Sequence, residues 1–228
     1  MCTVTYIPKG KNKYLFTTSR DEHRDRPRAH PPGRHRIGQQ DVQFPRDPVG
    51  GGSWIVAAEN LSLCLLNGAF RPHQRNLPYR HSRGLIPLHF LEYTSAEAFL
   101  AQYDFSNLEP FTLLVVSEQK INEIRWDGED THHKVLPSDK PEIWASAPLY
   151  TREMLKMRED WFSEFLSEYP SPSVRNVFEF YTTEGHSAPY SALIIDRENG
   201  VRTVSICAIE KLAGKKKVHY WERGVDFA

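Results

Sequence analysis

The chain opens with two runs of strand-forming residues, Thr3-Val4-Thr5-Tyr6-Ile7 and Tyr14-Leu15-Phe16-Thr17-Thr18, and the second continues into Ser19-Arg20-Asp21-Glu22. Both runs are rich in β-branched and aromatic side chains, and turn-forming residues at positions 8–12 separate them. This pattern predicts an opening β-hairpin. Because the strands of a hairpin lie side by side, the charged residues after the second strand are expected close to the second residue of the chain, Cys2.

The remaining pattern mixes strands and helices. Alternating or continuous apolar runs predict strands at residues 53–58, 62–66, 111–117, 121–126, 190–196, 201–209 and 218–222. Apolar residues at helical spacing predict helices at 152–168 and 174–181, and a capping box beginning at Thr94 predicts a third that ends near residue 103. Residues 23–52 are rich in Pro, Gly, Arg and His and are predicted to form a long loop. The fold class expected is therefore α+β.

Composition narrows the classes of function. The chain has 228 residues, and its 29 basic residues balance its 29 acidic ones, so charge does not favour nucleic acid or an anionic membrane as a partner. No apolar run approaches the roughly 20 residues that cross a bilayer, and no signal-peptide pattern is present. Three cysteines without close pairing fit a reducing compartment, and two of them, Cys64 and Cys207, stand in apolar strand patterns that predict burial. We expect one cytoplasmic domain spanning residues 1–228, with no membrane span; its oligomeric state is left open.

Cys2 is the most unusual residue. Removal of the initiator Met is favoured before a small side chain, and it would leave a free α-amine on the residue that carries the thiol. Such an amine, with a pKa near 8, is a competent base for its own side chain, as in N-terminal nucleophiles. The alternative interpretation is a small buried hydrophobic residue in a terminal strand.

Three further residues are candidates for the same site. Arg20 would lower the pKa of a nearby thiol or hold a substrate carbonyl, and Asp21 would orient the α-amine; the alternative is a solvated charge cluster. The Asn67 amide would donate a hydrogen bond to an oxyanion, but Asn67-Gly68 is also a preferred hairpin turn.

Metal and phosphate sites are not predicted. The ten histidines form no H-x-x-x-H pair within a convincing helix. Gly50-Gly51-Gly52 lacks the spacing and the Lys-Ser/Thr ending of a phosphate-binding loop. The arginines and histidines of residues 24–36 would steer an anionic ligand, or would simply be solvated. We expect no cofactor.

Several motifs taken together resemble one family. They are Met1-Cys2-Thr3-Val4-Thr5, Thr18-Ser19-Arg20-Asp21-Glu22 with Arg26-Pro27, Gly51-Gly52-Ser53-Trp54, Leu66-Asn67-Gly68-Ala69-Phe70, Ser82-Arg83-Gly84, Arg125-Trp126-Asp127-Gly128 and Ile143-Trp144-Ala145-Ser146. This set is similar to the NRDE family, which is the family of the transport and Golgi organisation protein 2, and it looks like a bacterial member. The resemblance covers nearly the whole chain.

The resemblance implies a four-layer αββα sandwich of the N-terminal-nucleophile hydrolase type, with a more distant likeness to penicillin V acylases and bile salt hydrolases. It implies Cys2 as nucleophile, Arg20 and Asp21 as its partners, and Asn67 as oxyanion donor. By position in the shared motifs, Ser19, Ser146 and Trp54 are expected to contact the substrate. Ser19 replaces the Asn that gives the family its name, and Ser146 aligns with a second acylase Asn.

Two functions from different classes follow. The first is a cysteine amidohydrolase that acts on a small amide. The second is a non-catalytic protein that binds or carries haem or an acylated ligand, because the family has been linked to haem mobilisation and to lipid metabolism.

Overall fold

The computed structural model of the protein describes residues 3–147, 151–185 and 192–224. The chain divides into two compact units, each built from more than one segment. The first unit comprises the described residues of Met1–Arg26, Lys140–Ala145 and Leu149–Ala228. The second comprises those of Pro27–Asp139 and Ser146–Pro148.

The first unit contains a five-stranded antiparallel sheet. Its strands are β1 (Thr3–Pro8), β2 (Tyr14–His23), β10 (Glu142–Ala145), β11 (Val201–Leu212) and β12 (Lys215–Glu222), in the order β10-β1-β2-β11-β12. β1 and β2 form the predicted opening hairpin, in which Val4 is opposite Thr18 and Pro8 is opposite Tyr14. β1 is therefore an interior strand, paired with β2 on one side and β10 on the other.

Two helices cover one face of this sheet. They are α3 (Arg152–Glu168) and α4 (Val174–Thr183), and each begins with a hydroxyl side chain that accepts from a backbone N–H of the first turn. Their apolar residues, including Phe162, Phe165 and Phe178, pack against Leu15 and Ile206 of the sheet. Alternate strand residues such as Val4 and Phe16 are also buried, so both faces of the sheet are apolar.

The second unit contains a seven-stranded antiparallel meander. Its strands are β3 (His30–Ile37), β4 (Gln40–Arg46), β5 (Ile55–Ala58), β6 (Ser62–Asn67), β7 (Phe111–Val116), β8 (Lys120–Trp126) and β9 (Thr131–Pro137), paired in chain order. Two short helices, α1 (Ile86–Phe90) and α2 (Ala96–Gln102), lie in the connection between β6 and β7. Phe90 and Phe99 pack with Leu63, Leu65 and other sheet residues in one core.

These elements confirm the α+β class and most of the sequence-based elements. The helix at 152–168 has the predicted bounds, and the meander of β5 and β6 and the pair of β7 and β8 are present. The capping residue of α2 is Ser95, one position later than predicted, because the Ser95 side chain accepts from the Ala98 backbone N–H.

The predicted long loop at 23–52 is wrong, because it contains β3 and β4. β3 is the outer strand of its sheet, and the register shifts between His30 and Gly33. An outer strand with a bulge tolerates Pro and Gly, which an interior strand does not. The Pro and Gly content of these residues therefore indicated an edge strand rather than a loop.

The predicted strand at 190–196 is also not found in the residues described, which begin here at Ala192. A single bridge joins Asp196 to Arg202. The Ile195 backbone N–H donates to the Thr203 side chain, at 3.0 Å, so this segment is held partly by a side chain rather than by a ladder.

Candidate functional site

Three side chains hold Thr3, the first described residue of β1. Its backbone N–H donates to the Ser19 hydroxyl at 3.0 Å, and its own hydroxyl accepts from the Arg158 guanidinium. The Tyr181 hydroxyl lies 3.4 Å from the Thr3 carbonyl oxygen. We call Ser19, Arg158 and Tyr181 the Thr3 network. The network bonds the backbone N–H and the hydroxyl of the residue that follows Cys2, and Tyr181 lies beside its carbonyl.

Two members of the network come from the helices that cover the sheet. Arg158 of α3 is 1% exposed and also donates to the Ala192 carbonyl at 2.7 Å. Tyr181 of α4 lies 3.1 Å from the Thr17 carbonyl and 3.2 Å from the Thr5 hydroxyl. The two helices therefore contact the opening hairpin through polar groups as well as through apolar packing.

Ser19, Arg20 and Asp21 lie within β2, not after it as the sequence suggested. Neighbouring residues of a strand point to opposite faces of the sheet. The contacts agree with this alternation: Ser19 bonds Thr3 on the helix-covered face, whereas Arg20 contacts Glu22 two residues along the strand, at 3.5 Å between Nη2 and Oε2. Arg20 and Asp21 are thus adjacent in the chain but face opposite sides.

Asp21 is buried in a chain of hydrogen bonds. The Thr203 hydroxyl donates to Asp21 Oδ1 at 2.6 Å and accepts from the Ile195 backbone N–H. This fixes the Asp21 carboxylate against β11, its partner strand. A buried carboxylate held in this way is oriented before any ligand arrives.

Cys2 lies outside the described residues, so its proposed role stays a prediction. The other two cysteines, Cys64 and Cys207, are completely buried, as their apolar surroundings in the sequence predicted. Burial raises the pKa of the Cys207 thiol well above its usual range. Neither of these thiols is suited to act as a nucleophile.

Asn67 is the last residue of β6, in the second unit. The turn interpretation of Asn67-Gly68 is wrong, because the next strand begins only at Phe111. The carbonyl oxygens of the next two residues accept hydrogen bonds from side chains. Thr112 donates to the Gly68 oxygen at 2.9 Å, and Arg125 donates to the Ala69 oxygen at 2.6 Å. Among the described residues, the half-buried Asn67 amide makes no side-chain hydrogen bond. Its role as oxyanion donor stays a prediction.

The motif that contains Trp54 has a structural role. A Cβ at Gly52 would lie 2.1 Å from the Gly84 carbonyl oxygen, so the two backbones touch there, and the Ser53 N–H donates to that oxygen at 2.8 Å. The motifs Gly51-Gly52-Ser53-Trp54 and Ser82-Arg83-Gly84 thus meet in space. Trp54 itself is buried directly before β5, where its carbonyl accepts from the Leu65 backbone N–H.

The predicted residues divide between the units. Ser19, Arg20 and Asp21 belong to the first unit, and Trp54, Asn67 and Ser146 to the second. Ser146 follows β10 and is completely buried. The substrate-binding roles of Ser19, Ser146 and Trp54 stay predictions.

Sequence reasoning missed Arg158 and Tyr181, although a signal existed for the first. Arg158 stands four residues after Met154 and four before Phe162, in the middle of the apolar stripe of α3. A charged residue at such a position must be paired or hydrogen-bonded when the stripe is buried. Tyr181 carries no comparable signal, because buried tyrosines are common in helix faces.

Within residues 3–147, 151–185 and 192–224, no group of three or more His, Cys, Asp or Glu side chains is arranged to hold a metal ion. No helix in this part of the chain is long and apolar enough to cross a membrane.

In the part of the chain that the structure describes, the fold and these side chains define an α+β protein with two antiparallel sheets, four α-helices and a hydrogen-bonded N-terminal strand. Residues 1–223 match the family described as Transport and Golgi organisation 2. The chain belongs to this family, which confirms the resemblance found in its motifs. No curated protein matches the chain.

Proposed function

We propose that this protein is an N-terminal cysteine amidohydrolase that acts on a small amide, with Cys2 as its nucleophile. The observation that carries the proposal is the Thr3 network, in which Ser19 and Arg158 bond the N–H and the hydroxyl of the residue joined to Cys2, and Tyr181 lies beside its carbonyl. Consecutive Cα atoms are about 3.8 Å apart across a trans peptide. Ordering of Thr3 therefore restricts a nucleophile at the preceding position.

Arg20 supports the proposal through its place in the hairpin. Val4 is opposite Thr18, and the bond from Thr3 to Ser19 continues this register. Arg20 follows Ser19 in β2, so it stands next to the strand position that bonds Thr3. A cation at that place would stabilise a thiolate and so favour attack on an amide carbonyl.

The proposed chemistry uses no group from outside the chain except water. After removal of Met1, the free α-amine takes the thiol proton while sulfur attacks the amide carbonyl, and the oxyanion of the resulting tetrahedral species is stabilised by the Asn67 amide. The carbon–nitrogen bond then breaks, the leaving amine takes the proton, and a thioester remains. Water, deprotonated by the same α-amine, hydrolyses the thioester to a carboxylic acid and restores the thiol.

We also propose that the whole chain is one domain with the four-layer αββα sandwich of N-terminal-nucleophile hydrolases. In its support, the first unit is a sheet with helices on one face, and helices share a core with the sheet of the second. The family match across residues 1–223 is consistent with a single domain.

The decisive experiment compares two forms of the protein that differ only in Met1. One form is released from a fusion partner with Cys2 as its first residue, and the other keeps Met1; intact mass verifies both. We expect the form with the free terminus to hydrolyse members of a panel of N-acyl amides. The form that keeps Met1 should be about 100- to 10,000-fold slower at an unchanged melting temperature, because it has lost its general base.

Cys2→Ser and Cys2→Ala variants of the processed form are the matched controls. Both should fold normally, and Cys2→Ala should be inactive. If neither form hydrolyses any amide while haem or an acyl-CoA binds both equally, the hydrolase proposal is wrong and the carrier function replaces it.

A further inference from the structure

Arg158 is buried although an Arg side chain keeps its charge in proteins. It is 1% exposed, and its guanidinium bonds the Thr3 hydroxyl and the Ala192 carbonyl. Removing a cation from water costs several kcal/mol unless hydrogen bonds compensate. An apolar residue at position 158, within the apolar stripe of α3, would avoid this cost. The hydrogen bonds that Arg158 makes therefore require an explanation.

Backbone pairing already holds β1 without these bonds. Thr3 is opposite Ala145 in β10, and Val4 is opposite both Trp144 and Thr18. The side-chain bonds of the network nevertheless concentrate at Thr3, the end of the strand next to Cys2.

We infer that Arg158 is a positioning residue, which acts through the Thr3 hydroxyl to hold the residue at position 2 in its reactive orientation. This rests on the proposed function in one respect, the role of Cys2 as nucleophile. The guanidinium links α3, β1 and the segment that begins at Ala192, so three elements fix the orientation of Thr3. Fixing a nucleophile before substrate binds lowers the cost of reaching the reactive geometry.

The chain offers a matched control on the same strand and the same face. The Thr5 hydroxyl is also buried and also bonded to a helix, through Tyr181 at 3.2 Å, but it lies two residues farther from Cys2. Tyr181 also bonds the Thr17 carbonyl, at 3.1 Å, so removing the Thr5 hydroxyl leaves the Tyr181 side chain held. Thr3→Val and Thr5→Val each remove one buried hydroxyl and keep the side-chain shape. Thr3→Ser keeps the hydroxyl that Arg158 bonds.

The test uses the processed full-length protein and the rate at which iodoacetamide alkylates Cys2 across a range of pH, with mass spectrometry assigning the modified residue. We expect Thr3→Val and Arg158→Met to change the alkylation rate and its pH profile, and to slow hydrolysis by on the order of 100-fold. The double variant should be no worse than either single variant, because both remove the same link. Thr3→Ser should behave as the parent protein, and Thr5→Val should lower the melting temperature without changing the reactivity of Cys2.

The inference is overturned if Thr3→Val and Thr5→Val change Cys2 reactivity equally, or if the effects of Thr3→Val and Arg158→Met simply add. Should Arg158→Met fail to fold, the comparison of the two valine variants still decides. A protein that hydrolyses no amide but shows the expected alkylation pattern would refute the proposed function and leave the positioning role standing. If hydrolysis requires Cys2 but Thr3→Val leaves it unchanged, the proposed function stands and the positioning role is refuted.

Discussion

Gly52→Ala should strongly destabilise the second unit, for a steric reason that the structure quantifies. The new Cβ would lie 2.1 Å from the Gly84 carbonyl oxygen, whereas ordinary contacts begin at 3.4 Å, so the backbones must separate by about 1.3 Å. This would break the bonds from the Ser53 N–H to Gly84 and from the Asp47 N–H to Gly52, which measure 2.8 and 2.9 Å. Each buried backbone hydrogen bond lost costs about 1–3 kcal/mol, so we expect the two to cost about 2–6 kcal/mol in total.

Urea unfolding followed by circular dichroism measures this loss. With a denaturant dependence of about 2 kcal/mol per M, the midpoint should fall by about 1–3 M. Gly84→Ala is the matched control, because its Cβ would approach its nearest neighbour, the Ser53 nitrogen, only to 3.4 Å. The reasoning is refuted if Gly52→Ala costs less than about 1 kcal/mol, or if Gly84→Ala costs as much.

Three further outcomes are expected. In the folded protein, iodoacetamide should label Cys2 before the two buried cysteines, since burial raises the pKa of Cys207; equal labelling of all three would contradict this. Burial also raises the pKa of Tyr103 from 10.0 to about 12. The stability that its neutral phenol contributes is therefore complete below pH 10 and disappears as the pH rises through about 12, so the unfolding free energy of Tyr103→Phe should decline less steeply in alkali. The hydrogen bond from the Asp130 backbone N–H is the largest cause that lowers the pKa of Asp127 from 3.8 to about 2. The stability from the Asp127 carboxylate is therefore complete above pH 3.8 and lost as the pH falls through about 2, so Asp127→Asn should lack this acid loss of unfolding free energy.

The candidate site shows where inference from the sequence reached its limit. Ser19, Arg20 and Asp21 could be placed near the start of β1, because a hairpin follows from local pattern alone. Their opposite orientations could not be predicted, because the sequence suggested that β2 ended before them. Whether the strand continues depends on pairing with β11, which begins at Val201, nearly 180 residues later in the chain.

The sequence by itself determined the helix at 152–168, the opening hairpin, the meander and the burial of Cys64 and Cys207, because periodicity and turn chemistry act over a few residues. Family membership was also readable from short motifs. Only the tertiary structure decided that Arg158 and Tyr181 reach Thr3, and that Gly52 touches Gly84. These contacts join residues 32 to 178 positions apart, and no local pattern encodes which distant side chain will complete a buried hydrogen bond.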